Sequence, residues 1–174
     1  MKNTALLLAF ALALSACSRQ PAGQTTGPAV QQGQGAAPEF ELANVAGGKM
    51  SSADIKGKVA VIDFWATWCG PCVEELPTLQ RILDRHGDAV AVVGVNLDER
   101  DLMDAEALRG WIASRNVPGV QVADGLGWES DLVQAFGVRE IPFSVVVDAT
   151  GRVIAVGRHG KELEKTVRAA LAGG

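Results

Sequence analysis

The chain has only two histidines, His86 and His159, which is too few for a multi-histidine metal site. It has no excess of basic charge. Sixteen Lys and Arg stand against twenty Asp and Glu, for a formal net charge of −4. Without a basic field there is nothing to hold a phosphate backbone, so nucleic acid is excluded as a partner. No apolar run reaches the roughly 20 residues that a membrane-spanning helix needs, and no internal repeat is visible. What remains is 174 residues, enough for one domain with appendages. Hydrophobic residues make up 48% of the chain. Much of that is alanine, but the Val, Ile, Leu, Phe and Trp suffice for a core.

Cysteine is also scarce, at three: Cys17, Cys69 and Cys72. An odd number in an exported chain calls for separate roles. Residues 1–16 carry a basic start, the apolar run Ala5–Leu14 and the small pair Ser15-Ala16, the pattern of a secretory signal peptide. Leu14-Ser15-Ala16-Cys17 resembles the lipobox of bacterial lipoproteins. That resemblance implies cleavage before Cys17, lipidation of its sulfur, and attachment to the cell envelope facing the periplasm. Ser18 would direct an enteric-type lipoprotein to the outer membrane. After the lipidated Cys17, residues 18–38 read as a flexible linker, since 16 of the 21 are Gln, Gly, Pro or Ala. A flexible chain of that length spans about 25 Å, so the domain would stay close to its membrane.

Residues 39–174 read as one α/β domain. Glu39–Val45 and the Gly47-Gly48 turn suggest a strand or hairpin, and Ser51–Ile55 a single helical turn. Val59–Trp65 is a near-continuous apolar run, as a strand covered on both faces requires. A helix is expected over Pro71–His86, with Leu76, Leu79, Ile82 and Leu83 on one stripe and a kink at Pro77. Ala89–Leu97 is a second buried strand, Asp104–Arg115 a helix, Val120–Ala123 a short strand and Asp131–Phe136 a short helix. Phe143–Asp148 and Val153–Gly157 flank a turn as a hairpin, and Gly160–Leu171 closes the chain as a helix. Strands alternating with helices, then a hairpin and a last helix, predict a sheet covered on both faces.

The chemistry centres on Trp68-Cys69-Gly70-Pro71-Cys72, where a buried strand ends and a helix starts. The first turn of a helix carries unpaired N–H groups and partial positive charge. A thiolate there is stabilised and becomes reactive near neutral pH. Cys69 is expected at that terminus and exposed, with Cys72 one turn deeper and within disulfide reach. Pro71 suits the first turn because it lacks an N–H that would otherwise be unpaired. Three other uses of such a pair exist. Half of a zinc site would need a second pair or a histidine cluster. A structural disulfide this short closes almost no loop. A copper-binding module would need a Met or His partner near Cys69.

The stretch Gly57–Pro77, with Val61-Ile62-Asp63-Phe64-Trp65-Ala66-Thr67-Trp68-Cys69-Gly70-Pro71-Cys72 at its centre, resembles the active-site region of TlpA/ResA-type membrane-anchored thioredoxins. The similarity continues through Phe136–Pro142 and Val147–Gly151. It implies a thioredoxin fold over residues 39–174: a central mixed β-sheet flanked by helices, with an N-terminal hairpin extension and an inserted helix. It further implies thiol–disulfide exchange outside the cytoplasm, with Cys69 attacking, Cys72 resolving, and no cofactor beyond that redox-active disulfide. Pro142 matches the family's cis-proline. Together with Ile141, Trp68, Gly70 and Pro71 it would hold the substrate. Glu75 matches an acidic residue kept beside the site in this subfamily, and Asp63 the buried aspartate of cytoplasmic thioredoxins. Either carboxylate could take the proton of Cys72. Glu140 and Phe143 depart from the small residue or Thr usual beside the cis-proline, and Gly157 resembles the glycine that opens the groove's third side.

The Gly-Pro dipeptide between the cysteines is similar to that of reducing thioredoxins, whose potential is near −270 mV against about −120 mV for a strong periplasmic oxidant. The expected activity is therefore reduction of protein disulfides, such as those of apocytochrome c during cytochrome c maturation, of a copper-site protein or of oxidised periplasmic thiols. Disulfide oxidase or isomerase activity, or copper binding, is the alternative. The expected electron donor is a membrane protein of the DsbD/CcdA kind, and the chain is expected to act as a monomer.

Overall fold

The structure, a computed structural model, describes residues 35–173. The signal sequence, Cys17 and most of the linker lie outside the described residues.

The first layer is a hairpin of β1 (Glu41–Ala43) and β2 (Lys49–Ser51), followed by a 3-10 turn at Ser52–Ile55. The main sheet has five strands: β3 (Val59–Trp65), β4 (Val90–Asn96), β5 (Val120–Val122), β6 (Phe143–Val147) and β7 (Val153–Val156). Their order is β5-β4-β3-β6-β7. β3, β4 and β5 run parallel, while β6 is antiparallel to both β3 and β7. The described residues also form four α-helices: α1 (Gly70–His86), α2 (Ala105–Arg115), α3 (Asp131–Phe136) and α4 (Gly160–Ala172). This is the mixed, helix-flanked sheet expected.

All seven residues of β3 are buried, as its unbroken apolar run requires of a central strand. Successive side chains of a strand point to opposite faces, and the core divides accordingly. Val59 and Val61 pack with Leu76, Leu79 and Ile82 of α1 and with Leu163 and Val167 of α4. Ala60, Ile62 and Phe64 pack on the other side with Phe136 and Val133 of α3. Asp63 follows Val59 and Val61 on the α1–α4 face. Arg81 and Arg85 of α1 bind the two carboxylate oxygens of Glu164 on α4 at 3.0 and 3.1 Å, joining the two helices that cover that face.

α1 runs from Gly70 to His86 with Pro77 inside it, within one residue of the helix expected. Two details differ from expectation. The folded chain starts before Glu39: Ala37 N–H donates to Gly151 O at 2.8 Å and Val153 N–H to Gly35 O at 3.2 Å. A 3-10 turn at Gly127–Glu129, which no periodicity announces, leads into α3.

Candidate active site

β3 ends against the start of α1, and the two cysteines occupy that junction. Cys69 is the N-cap of α1 in extended conformation, and its Sγ accepts the Cys72 N–H at 3.3 Å. Gly70 and Pro71 make the first turn. Cys69 and Cys72 are joined by a disulfide, with Cα atoms 5.3 Å apart. Cys72 is fully buried and Cys69 is 6% exposed. Cys69 is thus much less open than expected. It belongs to the apolar cluster that also holds Trp65, Ala66 and Cys72, and only a narrow face of it reaches solvent. That face still makes it the accessible member of the pair.

The loop before Cys69 is fixed by a residue that sequence reading did not single out. Asp98 is 3% exposed at the end of β4. Its oxygens accept from Thr67 N–H at 2.9 Å, Thr67 Oγ1 at 2.7 Å and Asn96 Nδ2 at 2.7 Å. Asn96 Oδ1 in turn accepts the Asp98 N–H at 3.1 Å. The signal was available in principle: two polar residues, Asn96 and Asp98, bracket Leu97 where a buried strand stops. Trp65 is a buried wall. Its indole N–H donates to Gln121 Oε1 at 2.9 Å and its ring lies 5.3 Å from that of Trp111. Gly94 leaves room for that arrangement, since a Cβ there would come within 2.0 Å of Gln121 Oε1. Trp68, by contrast, is 58% exposed.

The Ile141–Pro142 bond is cis, as the resemblance implied. Phe143, the first residue of β6, packs its ring edge on Phe64, and Glu140 is exposed. Gly157 is exposed and gives its N–H to Ser144 O at 2.7 Å.

Two acids belong to the same strand–helix unit, Asp63 on β3 and Glu75 on α1. Asp63 is 1% exposed, between Gly94 of β4 and Ser144 of β6. Its Oδ1 has no hydrogen-bond partner. Burial, reinforced by the charge of Glu75, pushes its pKa up to about 8. Glu75 lies three residues after Cys72, on the same side of α1, and is half-buried. Its Oε1 accepts the N–H of Gly160, the first residue of α4, at 2.7 Å. A carboxylate at a helix N-terminus is favourably placed. The structure therefore brings Asp63 and Glu75 together on the covered face below α1, and Gly160, which sequence reading missed, ties Glu75 there. Nothing local to Gly160 could have revealed that, because the bond spans 85 residues. Among the described residues no cluster of three or more His, Cys, Asp or Glu could hold a metal ion.

Such a site can exchange thiols for disulfides. A sulfur at a helix start can be held as a thiolate, a second sulfur can close onto it, and a neutral buried carboxyl can hold a proton close by. Comparison with known proteins agrees. The chain is 31% identical to the thioredoxin-like protein YneN of Bacillus subtilis, over 70% of this chain and 68% of that one. It is 27% identical to the thiol-disulfide oxidoreductase ResA of Bacillus thuringiensis, over 72% and 70%. The solved thioredoxin domain of a thiol-disulfide oxidoreductase from Bacteroides vulgatus superposes with a TM-score of 0.72 at 25% identity, covering 82% of this chain and 99% of that one. The Redoxin family model matches residues 31–171. With its dithiol, its sheet and these relatives in agreement, the chain belongs to the Redoxin family and is a thiol-disulfide oxidoreductase of the ResA type.

Proposed function

We propose that the protein is a lipid-anchored reductase of protein disulfides on the periplasmic side of a bacterial membrane. The observation that carries the chemistry is the Cys69–Cys72 disulfide at the start of α1, on the same strand–helix unit as a buried Asp63 whose Oδ1 has no hydrogen-bond partner. In the reduced protein the Cys69 thiolate attacks one sulfur of a substrate disulfide. A Cys69–substrate disulfide forms and the other substrate sulfur leaves as a thiolate. Cys72 then gives its proton to the Asp63–Glu75 pair and attacks Cys69 Sγ. The mixed disulfide breaks, the second substrate thiolate departs, and two electrons have passed to the substrate. The Cys69–Cys72 disulfide that results is the state seen here, in which Asp63 retains a proton at neutral pH.

Trp68, Gly70 and Pro71, which flank Cys69 in sequence, and the cis Ile141–Pro142 pair form the contact edge for substrate in this reading. Re-reduction falls to a membrane donor of the DsbD/CcdA kind. The lipobox-like sequence ending at Cys17 supports the anchor, and the Gly-Pro dipeptide supports the reducing direction.

Cys72→Ser should accumulate covalent adducts with substrate proteins, whereas Cys69→Ser should form none. Equal behaviour of the two variants would overturn the assignment of roles. Direction is read from redox titration. A potential near −270 mV marks a reductase, and one near roughly −120 mV an oxidant.

A further inference from the structure

Three large apolar side chains are markedly exposed among the described residues: Trp68 at 58%, Leu102 at 78% and Leu126 at 51%. All three lie beyond the C-terminal ends of the parallel strands, Trp68 after β3, Leu102 after β4 and Leu126 after β5. Hydrogen bonds bring their loops together. Thr67 is bound to Asp98 at 2.9 Å, Glu99 bridges to Leu126, Arg100 N–H donates to Gly125 O at 3.0 Å, and Leu102 N–H donates to Glu99 O at 2.9 Å. Residues 97–104 and 123–130 thus form one surface continuous with the cysteine junction.

The exposed charge of this surface is mostly negative. Glu99, Asp101, Asp104 and Glu129 are exposed and Asp124 is half-buried, against a single base, Arg100. Arg100 Nη2 is already bound to Asp124 O at 2.6 Å. Exposed apolar groups rimmed by polar residues mark interaction sites, and the sign of the rim selects the partner. An acidic rim repels an anionic lipid surface and equally a second copy of itself.

We infer that Trp68, Leu102 and Leu126 form a docking surface for cationic, apolar, unfolded polypeptide, which delivers its disulfide to Cys69. This rests on the reductase reading and names the substrate class for it. An unfolded segment suits the surface because it can present apolar side chains and lysines together with an open disulfide, which a folded partner buries.

The test uses the full chain in reduced form and four disulfides. One is a peptide closed by a disulfide and rich in Leu and Lys. The second replaces its lysines with glutamates, the third replaces its leucines with serines, and the fourth is neutral hydroxyethyl disulfide. The Leu/Lys peptide should react about tenfold faster than the glutamate peptide, with that advantage shrinking in high salt. It should also outpace the serine peptide by about fivefold. The double variant Leu102→Ser/Leu126→Ser should lose the leucine preference and keep its rate with hydroxyethyl disulfide. Equal rates for all three peptides, with hydroxyethyl disulfide reacting normally, would overturn the docking surface. So would sedimentation showing a dimer of the full chain that the double variant dissociates. Failure to reduce hydroxyethyl disulfide at all would instead strike the reductase reading beneath it.

Discussion

Two buried aspartates, one before the dithiol in the chain and one after it, are put to opposite uses. Asp98 and Asp63 are 3% and 1% exposed. Asp98 receives three hydrogen bonds, two of them from Thr67, and so fixes the loop that presents Cys69. Asp63 has one oxygen without any partner and a second acid for a neighbour. Burial costs a carboxyl little when donors replace water and a great deal when they do not. The first residue is therefore a tie. The second is held out of its ordinary protonation state, and a group in that condition can take up or release a proton as a reaction proceeds. Depth in the core does not separate the two roles; the supply of donors does.

The largest effect that would test this contrast belongs to the tie. Asp98→Ala leaves the Thr67 N–H, the Thr67 hydroxyl and the Asn96 amide without their acceptor, and should destabilise the protein by roughly 2–4 kcal/mol. Urea denaturation of the oxidised protein at pH 7 measures it. A loss of only a few tenths would mean that water replaces the carboxyl freely and that Asp98 is no tie.

Asp63→Asn should act in the other direction on stability. The folded protein holds the Asp63 proton up to about 8, whereas the ordinary value is 3.8. Between those limits the folded state binds the extra proton, so stability of the wild type falls as pH rises, by about 1.4 kcal/mol per pH unit for one proton. The variant should lose that decline and be the more stable protein at pH 7. Its resolving step should meanwhile slow by about 100-fold above pH 8, where the wild-type Asp63 is ionised and free to accept the Cys72 proton. Urea midpoints across pH 5–8 read the first effect, and single-turnover release of substrate from the mixed disulfide reads the second. A flat wild-type profile would place the proton elsewhere.

The same contrast explains what sequence could and could not reveal. Val59–Trp65 emerges with the bounds of β3 because a strand buried on both faces must be apolar throughout. Asp131–Phe136 likewise matches α3. Cys69 and Cys72 were legible because they lie one turn apart at a strand–helix junction, and Asp63 and Glu75 because the stretch that carries them resembles the active-site region of TlpA/ResA-type thioredoxins. Asp98 and Gly160 were not. Their bonds to Thr67 and Glu75 span 31 and 85 residues, and such pairings exist only once the sheet and helices are assembled. The burial of Cys69 is hidden for the same reason, since the cluster that holds it draws on residues far apart in the chain, Phe64, Val95 and Val133 among them.

The smallest effect probes Glu75. Glu75→Gln keeps an oxygen that can accept the Gly160 N–H, so the link between α1 and α4 survives while the charge disappears. Burial is the larger cause of the raised Asp63 pKa and Glu75 the smaller. Removing the charge should therefore move the pH midpoint of the resolving step downward by less than about one unit. The plateau rate above the midpoint should stay close to that of the wild type, because Asp63 still accepts the proton. A collapse of the plateau would instead make Glu75 the principal acceptor. It would also reduce Asp63 to a neutral neighbour whose protonation merely accommodates its burial.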